Sequence, residues 1–254
     1  MSLSPPTQPG VRVDVRDLRK SYGSQVVFDG LNLSVAPGEI FVLMGPSGSG
    51  KTVLLKQIIG LEKPDSGEVL IEGQPITSPA VTDHYRMAMV FQSGALLNSL
   101  TVGENVGLYL TEHRLRPPAE IAQIVREKLE LIGLHNVENK FPNELSGGMK
   151  KRVSIARALV SDPQLILYDE PTSELDPLIA VTIAQEIVAL RRRGGVTSLV
   201  VTHDRDLAFG IADRMAIIDA GGILFTGTPA EIKRSPLPVI QRFLNAEFKV
   251  LTEP

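Results

Sequence analysis

Residues 45 to 52, GPSGSGKT, combine three glycines with a lysine and a threonine in the spacing of a phosphate-binding loop. Glycines let backbone N–H groups turn toward phosphate oxygens, while Lys51 can reach the β- and γ-phosphates and assist catalysis, and Thr52 can ligate Mg²⁺. The alternative is a glycine-rich turn without a ligand, but a strand pattern before the loop and a helix pattern after it favour a nucleotide. The residues expected to contact the nucleotide here are Gly45, Pro46, Ser47, Gly48, Ser49, Gly50, Lys51, Thr52 and Val53.

Two carboxylates end a second apolar segment, LILYDE at residues 165 to 170. Asp169, at the end of a predicted buried strand, can hold Mg²⁺ directly or through water. Glu170 can orient or deprotonate the water that attacks the phosphate, so we predict that it is the catalytic base. Alone, such a pair more simply caps the next helix, but a phosphate loop in the same chain favours the catalytic interpretation.

Single residues at other strand ends complete the candidate site. His203 ends the segment TSLVVTH and is predicted to contact the γ-phosphate during catalysis, although a lone histidine there is more often structural. Gln92 ends MAMVFQ and is predicted to reach Mg²⁺ or water, with an ordinary polar edge residue as the alternative. The ring of Tyr22 can stack on adenine or simply pack against its neighbours.

A second anion site is predicted at LSGGM, residues 145 to 149, directly before a helical pattern. The N-terminus of a helix has free backbone N–H groups and attracts phosphate. The residues expected to contact nucleotide at this segment are Ser146, Gly147, Gly148 and Met149. One domain would therefore hold two phosphate-binding segments about a hundred residues apart.

The rest of the pattern predicts the elements that position these residues. Near-continuous apolar runs indicate buried central strands, and helical spacing between the later runs indicates βαβ units in a parallel sheet. From about residue 93 to 160 helical spacing predominates and predicts a helical subdomain. Strands are predicted in VRVDVRDL, FDGLNLSV, EIFVLMG, GEVLIEG, RMAMVFQ, LILYD, TSLVVTH, RMAIID and ILFTGT.

Length and composition limit the possible domain organisation, partners and location of the chain. We predict disordered residues 1 to 10, one folded domain over residues 11 to 235, and a C-terminal tail over residues 236 to 254. The net charge of −3 argues against a nucleic-acid partner, and the absence of cysteine excludes disulfides and thiol chemistry. No apolar run reaches the about 18 residues that span a membrane, so a cytoplasmic chain is expected.

The order of the motifs resembles that of ABC-transporter ATPase subunits. The motifs follow one another along the chain: the A-loop is matched by Tyr22, Walker A by GPSGSGKT, the Q-loop by Gln92, and the signature by LSGGM. Walker B is then matched by LILYDE, the D-loop by SELD at 173 to 176, and the H-loop by His203. The resemblance implies an α/β P-loop NTPase fold with a mainly parallel core sheet, an antiparallel β subdomain and an inserted helical subdomain. It also implies ATP and Mg²⁺ as cofactors, and a head-to-tail dimer with each ATP between Walker A of one copy and the signature of the other.

A narrower resemblance links the chain to Mla-type, MCE-associated phospholipid-transport ATPases. The segments that carry it are FQSGALLNSLTVGENVGLYL, TEHRLRPPAEIAQIVREKLELIGL and GTPAEIKRSPLPVIQRFLNAE. The D-loop SELD departs from the commoner form of this loop, which has a small residue at the position of Glu174. The resemblance implies an integral-membrane permease, an MCE-domain protein and a small accessory regulatory protein as partners, at the inner face of the cell membrane. Alternatives are another cargo, such as amino acids, ions or organic solvents, and a soluble ABC protein acting on ribosomes or DNA. The single ATPase core and the lack of a basic stretch disfavour the soluble protein.

Overall fold

Two sheets organise residues 9 to 244, the part of the chain that the computed structural model describes, apart from the side chains of residues 242 and 243. The strands are β1 (Val13–Tyr22), β2 (Gln25–Val35), β3 (Ile40–Met44), β4 (Ser66–Ile71), β5 (Gln74–Pro75), β6 (Met87–Val90), β7 (Leu165–Asp169), β8 (Thr197–Thr202), β9 (Arg214–Asp219) and β10 (Gly222–Gly227). The helices are α1 (Lys51–Ile58), α2 (Pro79–His84), α3 (Val102–Glu112), α4 (Pro118–Leu131), α5 (Gly147–Leu159), α6 (Pro177–Gly194), α7 (Arg205–Ile211), α8 (Pro229–Lys233) and α9 (Pro238–Leu244). A short 3₁₀ turn covers Pro142–Glu144.

The central sheet has the strand order β10-β9-β3-β8-β7-β6. Adjacent strands of this sheet are parallel from β9 to β6, and β10 alone pairs antiparallel, with β9. Strands β3, β7 and β8 are buried along their whole length, which explains their near-continuous apolar or small-residue sequences. Because parallel strands end at one edge, the loops that follow β3, β7 and β8 lie side by side.

The second sheet has the order β2-β1-β4-β5 and is antiparallel throughout. The predicted antiparallel subdomain is therefore confirmed. Its apolar side chains and those of β3, β7 and β8 form one hydrophobic cluster, which includes the buried Leu54, Leu55 and Ile58 of α1. This packing fixes the helix that follows the phosphate loop against both sheets.

The stretch from residue 93 to 160 contains helices and no strand, as predicted. Thr101 and Glu104 form a reciprocal capping box that starts α3, because each side chain accepts a hydrogen bond from the other residue's backbone. Helices α3, α4 and α5 share a second hydrophobic cluster with one face of the central sheet. The helical subdomain is thus packed on the sheet that carries the candidate site.

The sequence interpretation misplaced the N-terminal boundary and missed three short elements. Residues 1 to 8 lie outside the described part, but Gly10, predicted to be disordered, is buried and its N–H donates to the Gly195 carbonyl at 3.0 Å. The elements β5, α2 and α8 have six residues or fewer, too few for a periodic pattern. Of the predicted tail, residues 236 to 244 are described and include α9, and residues 245 to 254 lie outside.

No helix among residues 9 to 244 combines the length and the apolar character needed to cross a membrane.

Candidate active site

The phosphate loop joins the end of β3 to the start of α1 and depends on its glycines. Gly50 has φ of 93°, and a Cβ atom on it would come within 2.6 Å of a methyl group of Val27. Gly48 has φ of 82°, a conformation that favours glycine. A Cβ atom on Gly45 would lie 2.5 Å from the Ile218 carbonyl oxygen. The backbone therefore follows a tight path that side chains would block, as a phosphate cradle requires.

Lys51 is buried at the start of α1 and faces back into the loop. Its Nζ donates to the carbonyl oxygens of Gly45 at 2.8 Å and Pro46 at 3.0 Å. An ammonium group has three N–H donors, so one remains for a phosphate oxygen. Burial lowers the pKa of Lys51, while the nearby carboxylates of Glu170 and Asp169 act in the opposite direction.

Thr52 and Asp169 form the pair best suited to a magnesium ion. The Thr52 hydroxyl lies 3.0 Å from both carboxylate oxygens of Asp169. Among the described residues no group of three or more His, Cys, Asp or Glu is arranged to hold a metal. Mg²⁺ commonly takes one or two protein oxygens and fills its other positions with phosphate and water, so this oxygen-only pair fits the ion.

Glu170 has two carboxylate oxygens in different surroundings. Oε2 accepts hydrogen bonds from the Thr202 hydroxyl at 3.0 Å and from the backbone N–H of His203 at 3.2 Å. The ring nitrogen Nδ1 of His203 also lies 3.0 Å from Oε2. The other oxygen, Oε1, lies 3.9 Å from Lys51 Nζ. Oε2 is thus held by groups of two residues, Thr202 and His203, whereas Oε1 faces the phosphate loop and can accept a proton there.

A cleft of about 360 Å³ joins most of the predicted residues. Tyr22 lies at this cleft with 48% of its surface exposed. Its hydroxyl donates to Glu62, and the Lys20 ammonium lies 5.2 Å from the centre of its ring. Two lining residues, Gln25 and Val27, were not predicted; they lie on β2 beside Tyr22, where no motif marks them. The predicted residues that line the cleft are Tyr22, Ser47, Gly48, Gly50, Lys51, Thr52, Val53, Gln92, Glu170 and His203.

The signature segment, residues 145 to 149, contributes nothing to the lining of this cleft. Ser146 caps α5, because its Oγ accepts a hydrogen bond from the Met149 N–H at 3.3 Å. Gly147 is exposed, and a Cβ atom placed on it would meet no atom within 4 Å. The structure therefore presents the helix N-terminus of α5 on an open surface away from the chain's own phosphate loop.

A protein-family model described as "ABC transporter" matches residues 28–173, more than half of the chain. The chain belongs to the ABC transporter family. It is an ATPase of that family, with ATP and Mg²⁺ as its cofactors.

Curated relatives of this ABC ATPase carry different transport names. The chain is 40% identical over 240 residues to the "Probable ribonucleotide transport ATP-binding protein mkl" of Mycobacterium leprae, covering 93% of this chain and 69% of the relative. It is 45% identical over 226 residues to the "Sulfate/thiosulfate import ATP-binding protein CysA 2" of Chromobacterium violaceum, covering 88% of this chain and 60% of that one.

Solved structures confirm the P-loop ABC fold of this ATPase. A dimeric post-hydrolysis state of the ATP-binding cassette MJ0796, bound to ADP and Pi, is 33% identical with a TM-score of 0.79, covering 85% of this chain and 98% of that one. A nucleotide-free cassette from an ABC transporter is 27% identical with a TM-score of 0.80, covering 93% and 100% of the two chains.

One buried residue of this ABC ATPase escaped the motif analysis. Lys151 lies in the run M-K-K-R, which as sequence indicates an exposed cationic stretch. In the structure it is 3% exposed, beside buried Ser154 and Ile155 one turn further along α5. Its only sequence signal is its position at helical spacing from buried residues.

Replacing Asp169 by Asn is expected to raise stability and abolish magnesium binding. Burial raises the pKa of Asp169, so the folded protein binds this proton more tightly than the unfolded chain. Its charge therefore lowers stability at neutral pH, because stability from a raised carboxyl pKa is lost as pH rises. We expect the melting temperature of the nucleotide-free Asp169→Asn variant to rise by roughly 2 °C.

The measurement is thermal unfolding with and without ATP and Mg²⁺. The wild-type protein should gain stability from the pair of ligands, and the Asp169→Asn variant should gain none from added Mg²⁺. Asp83→Asn, an exposed change on α2, is the matched control. A variant that keeps the magnesium-dependent gain would contradict the assignment of Asp169 to the metal.

Proposed function

We propose that two copies of this chain bind ATP head to tail and hydrolyse it to drive a membrane permease that moves phospholipid between membranes. The observation that carries the dimer is the separation of the signature segment from the cleft that contains Lys51 and Glu170. Within one chain the open N-terminus of α5 has no phosphate to bind. A second copy placed head to tail supplies one.

Hydrolysis in this proposal uses the two unlike oxygens of Glu170. A water oxygen attacks the γ-phosphorus, the bond from that phosphorus to the bridging oxygen breaks, and ADP leaves. The free Oε1 takes the proton of the attacking water, while Thr202 and His203 hold the other oxygen in place. Bound Mg²⁺ would be held by Thr52 and Asp169 and would neutralise charge on the phosphates.

A second groove supports the permease as a partner. It has a volume of about 800 Å³ and lies between β6, α3 and the end of α5. Its lining is largely apolar, with Met89, Phe91, Leu97 and Tyr109 among its residues. Grooves of this kind receive amphipathic helices of partner proteins. Because Phe91 and Gln92 are neighbours, a helix seated in the groove would adjoin the ATP cleft.

Gln92→Ala is expected to weaken the link between transport and ATP hydrolysis more than it weakens ATP binding. Gln92 lines the cleft, and the next residues lead to the permease groove. We expect the stimulation of ATPase activity by the permease to fall about tenfold while ATP affinity changes less than about twofold. The measurement compares ATP affinity and permease-stimulated turnover in the same preparation. Gln123→Ala, at an exposed position of α4, is the matched control, and an equal loss of affinity and stimulation would count against this role.

The phospholipid cargo rests on the resemblance of three long segments to Mla-type ATPases. The relatives named for ribonucleotide, sulfate/thiosulfate and Fe(3+) transport keep a small solute as the second candidate. An MCE-domain protein and a small accessory regulatory protein are the further partners of the lipid system. In either case we place the chain at the inner face of the cell membrane.

Purification of the chain with its native membrane partners distinguishes the two cargoes. Mass spectrometry of the complex should find an MCE-domain protein and co-purified phospholipid if the lipid proposal is correct. Recovery of a soluble substrate-binding protein without an MCE-domain protein would instead support the small solute. The Lys51→Ala chain, which should assemble but not hydrolyse ATP, is the control for assembly that does not depend on turnover.

A further inference from the structure

Lys151 lies in the first turns of α5, five residues after Ser146, and its side chain points away from solvent. Its exposed fraction is 3%. A buried ammonium is unfavourable unless it is paired, so packing alone would place an apolar residue here. Burial also lowers the pKa of Lys151, and the neighbouring carboxylates Asp169, Glu174 and Glu170 oppose that change. The lysine therefore has specific partners that justify its position.

Those partners are two backbone carbonyls from two other motifs. Lys151 Nζ donates to the carbonyl oxygen of Gln92 and, at 3.0 Å, to that of Glu170. Glu170 has φ of 48°, a left-handed conformation that is uncommon for a residue with a side chain and directs both its carbonyl and its carboxylate. The same carbonyl accepts the Ser173 hydroxyl at 2.9 Å within the local turn. Lys151 is thus the link between this turn and α5.

A second cation of α5 shows what is special about Lys151. Arg157 donates to the carbonyl oxygens of Ala95 at 2.7 Å and Gly94 at 2.9 Å. Both of these hydrogen bonds anchor the segment that follows Gln92. Of these two cations, only Lys151 joins the signature helix both to the segment after β6 and to the backbone of the catalytic Glu170.

We infer that Lys151 is a positioning residue that makes the geometry of Glu170 in one ATP site depend on the seating of the signature segment in the other. This inference rests on the proposed head-to-tail dimer, in which Ser146 and Glu170 of one chain serve different ATP molecules. When the partner's ATP draws the signature segment into place, α5 moves as a rigid unit. The two bonds of Lys151 carry that movement to Gln92 and to Glu170.

The test uses mixtures of full-length chains in which one site alone is intact. A Lys51→Ala chain is mixed with a Ser146→Arg chain, so the intact site takes Glu170 from the second chain and Ser146 from the first. Lys151→Met is then added to either chain in turn. In the Ser146→Arg chain, which supplies Glu170 of the intact site, Lys151→Met should lower the ATPase activity of the mixture about tenfold, with ATP affinity changed less than about twofold. In the Lys51→Ala chain, whose Glu170 lies in the damaged site, it should change the activity less than about twofold.

Each outcome of this experiment tests either the shared ATP site or the role of Lys151. A parental mixture with neither ATPase activity nor ATP-dependent cross-linking between the two chains overturns the shared site itself. An active parental mixture that Lys151→Met leaves unchanged in the Ser146→Arg chain, or slows equally in both placements, overturns the role given to Lys151. Lys151→Arg keeps charged N–H donors on a long side chain and should retain more activity than Lys151→Met, which a general loss of folding would not allow. Lys140→Met, an exposed lysine of the same subdomain, should have no effect, and thermal unfolding of every variant shows that the chains are folded.

Discussion

Glu170→Gln is expected to leave ATP bound and to reduce its hydrolysis by at least about a hundredfold, the usual scale for loss of a general base. The amide can keep the carbonyl oxygen where Thr202 and His203 donate to Glu170 Oε2. Its NH₂ group then takes the place of Oε1, facing Lys51 and the phosphate loop. An amide nitrogen cannot accept the proton of water, so the reaction stops before the phosphate is released.

The ATP-bound dimer should accumulate in this variant, because hydrolysis is what separates the two copies in the proposed cycle. Size-exclusion chromatography with ATP and Mg²⁺ measures the dimer, and release of phosphate measures turnover. Glu130→Gln removes an exposed carboxylate from α4 and is the control for the charge change. A Glu170→Gln protein that turns over ATP near the wild-type rate, or that stays monomeric with ATP, would contradict the role given to Glu170.

Much of this site could be predicted because the relevant residues follow buried parallel strands. Apolar runs mark β3 and β7, and the residues after them must share one edge of the sheet. The phosphate loop carries its own local requirement for glycine, as Gly50 illustrates through its positive φ and its contact with Val27. Such information is present in a few consecutive residues and needs no knowledge of distant packing.

The unequal surroundings of the two Glu170 oxygens could not be predicted, because they depend on tertiary contacts. They arise at the end of β8, where Thr202 is the last strand residue and His203 comes next. Thr202 is 32 residues from Glu170 in sequence, but β8 lies beside β7 in the sheet. Lys151 was missed for a similar reason. A lysine beside Lys150 and Arg152 indicates a solvated stretch, and only the packing of α5 against the loop after β6 makes it a buried donor.

Two inactive chains, Lys51→Ala and Ser146→Arg, are expected to restore each other's activity when mixed. Lys51→Ala removes the ammonium that holds the phosphates, and Ser146→Arg fills the open N-terminus of α5 with a bulky cation. In the proposed dimer each homodimer has two damaged sites and should be inactive. A heterodimer collects both changes in one site and leaves the other intact. Equal mixing gives about half heterodimers with one intact site each, so about a quarter of the wild-type activity is the upper limit, reached if the sites act independently.

If both phosphate-binding segments instead served one ATP within one chain, every site in the mixture would carry a change and no activity would return. Cross-linking detects the shared site without relying on turnover. The natural chain has no cysteine, so Ser47→Cys on the Ser146→Arg chain and Gly147→Cys on the Lys51→Ala chain provide a unique pair of thiols. Both positions are exposed in the single chain, and Gly147 has room for a side chain. An ATP-dependent disulfide between the two chains is the expected result. A mixture without cross-link or activity would refute the shared site, because the opposed segments would never have met.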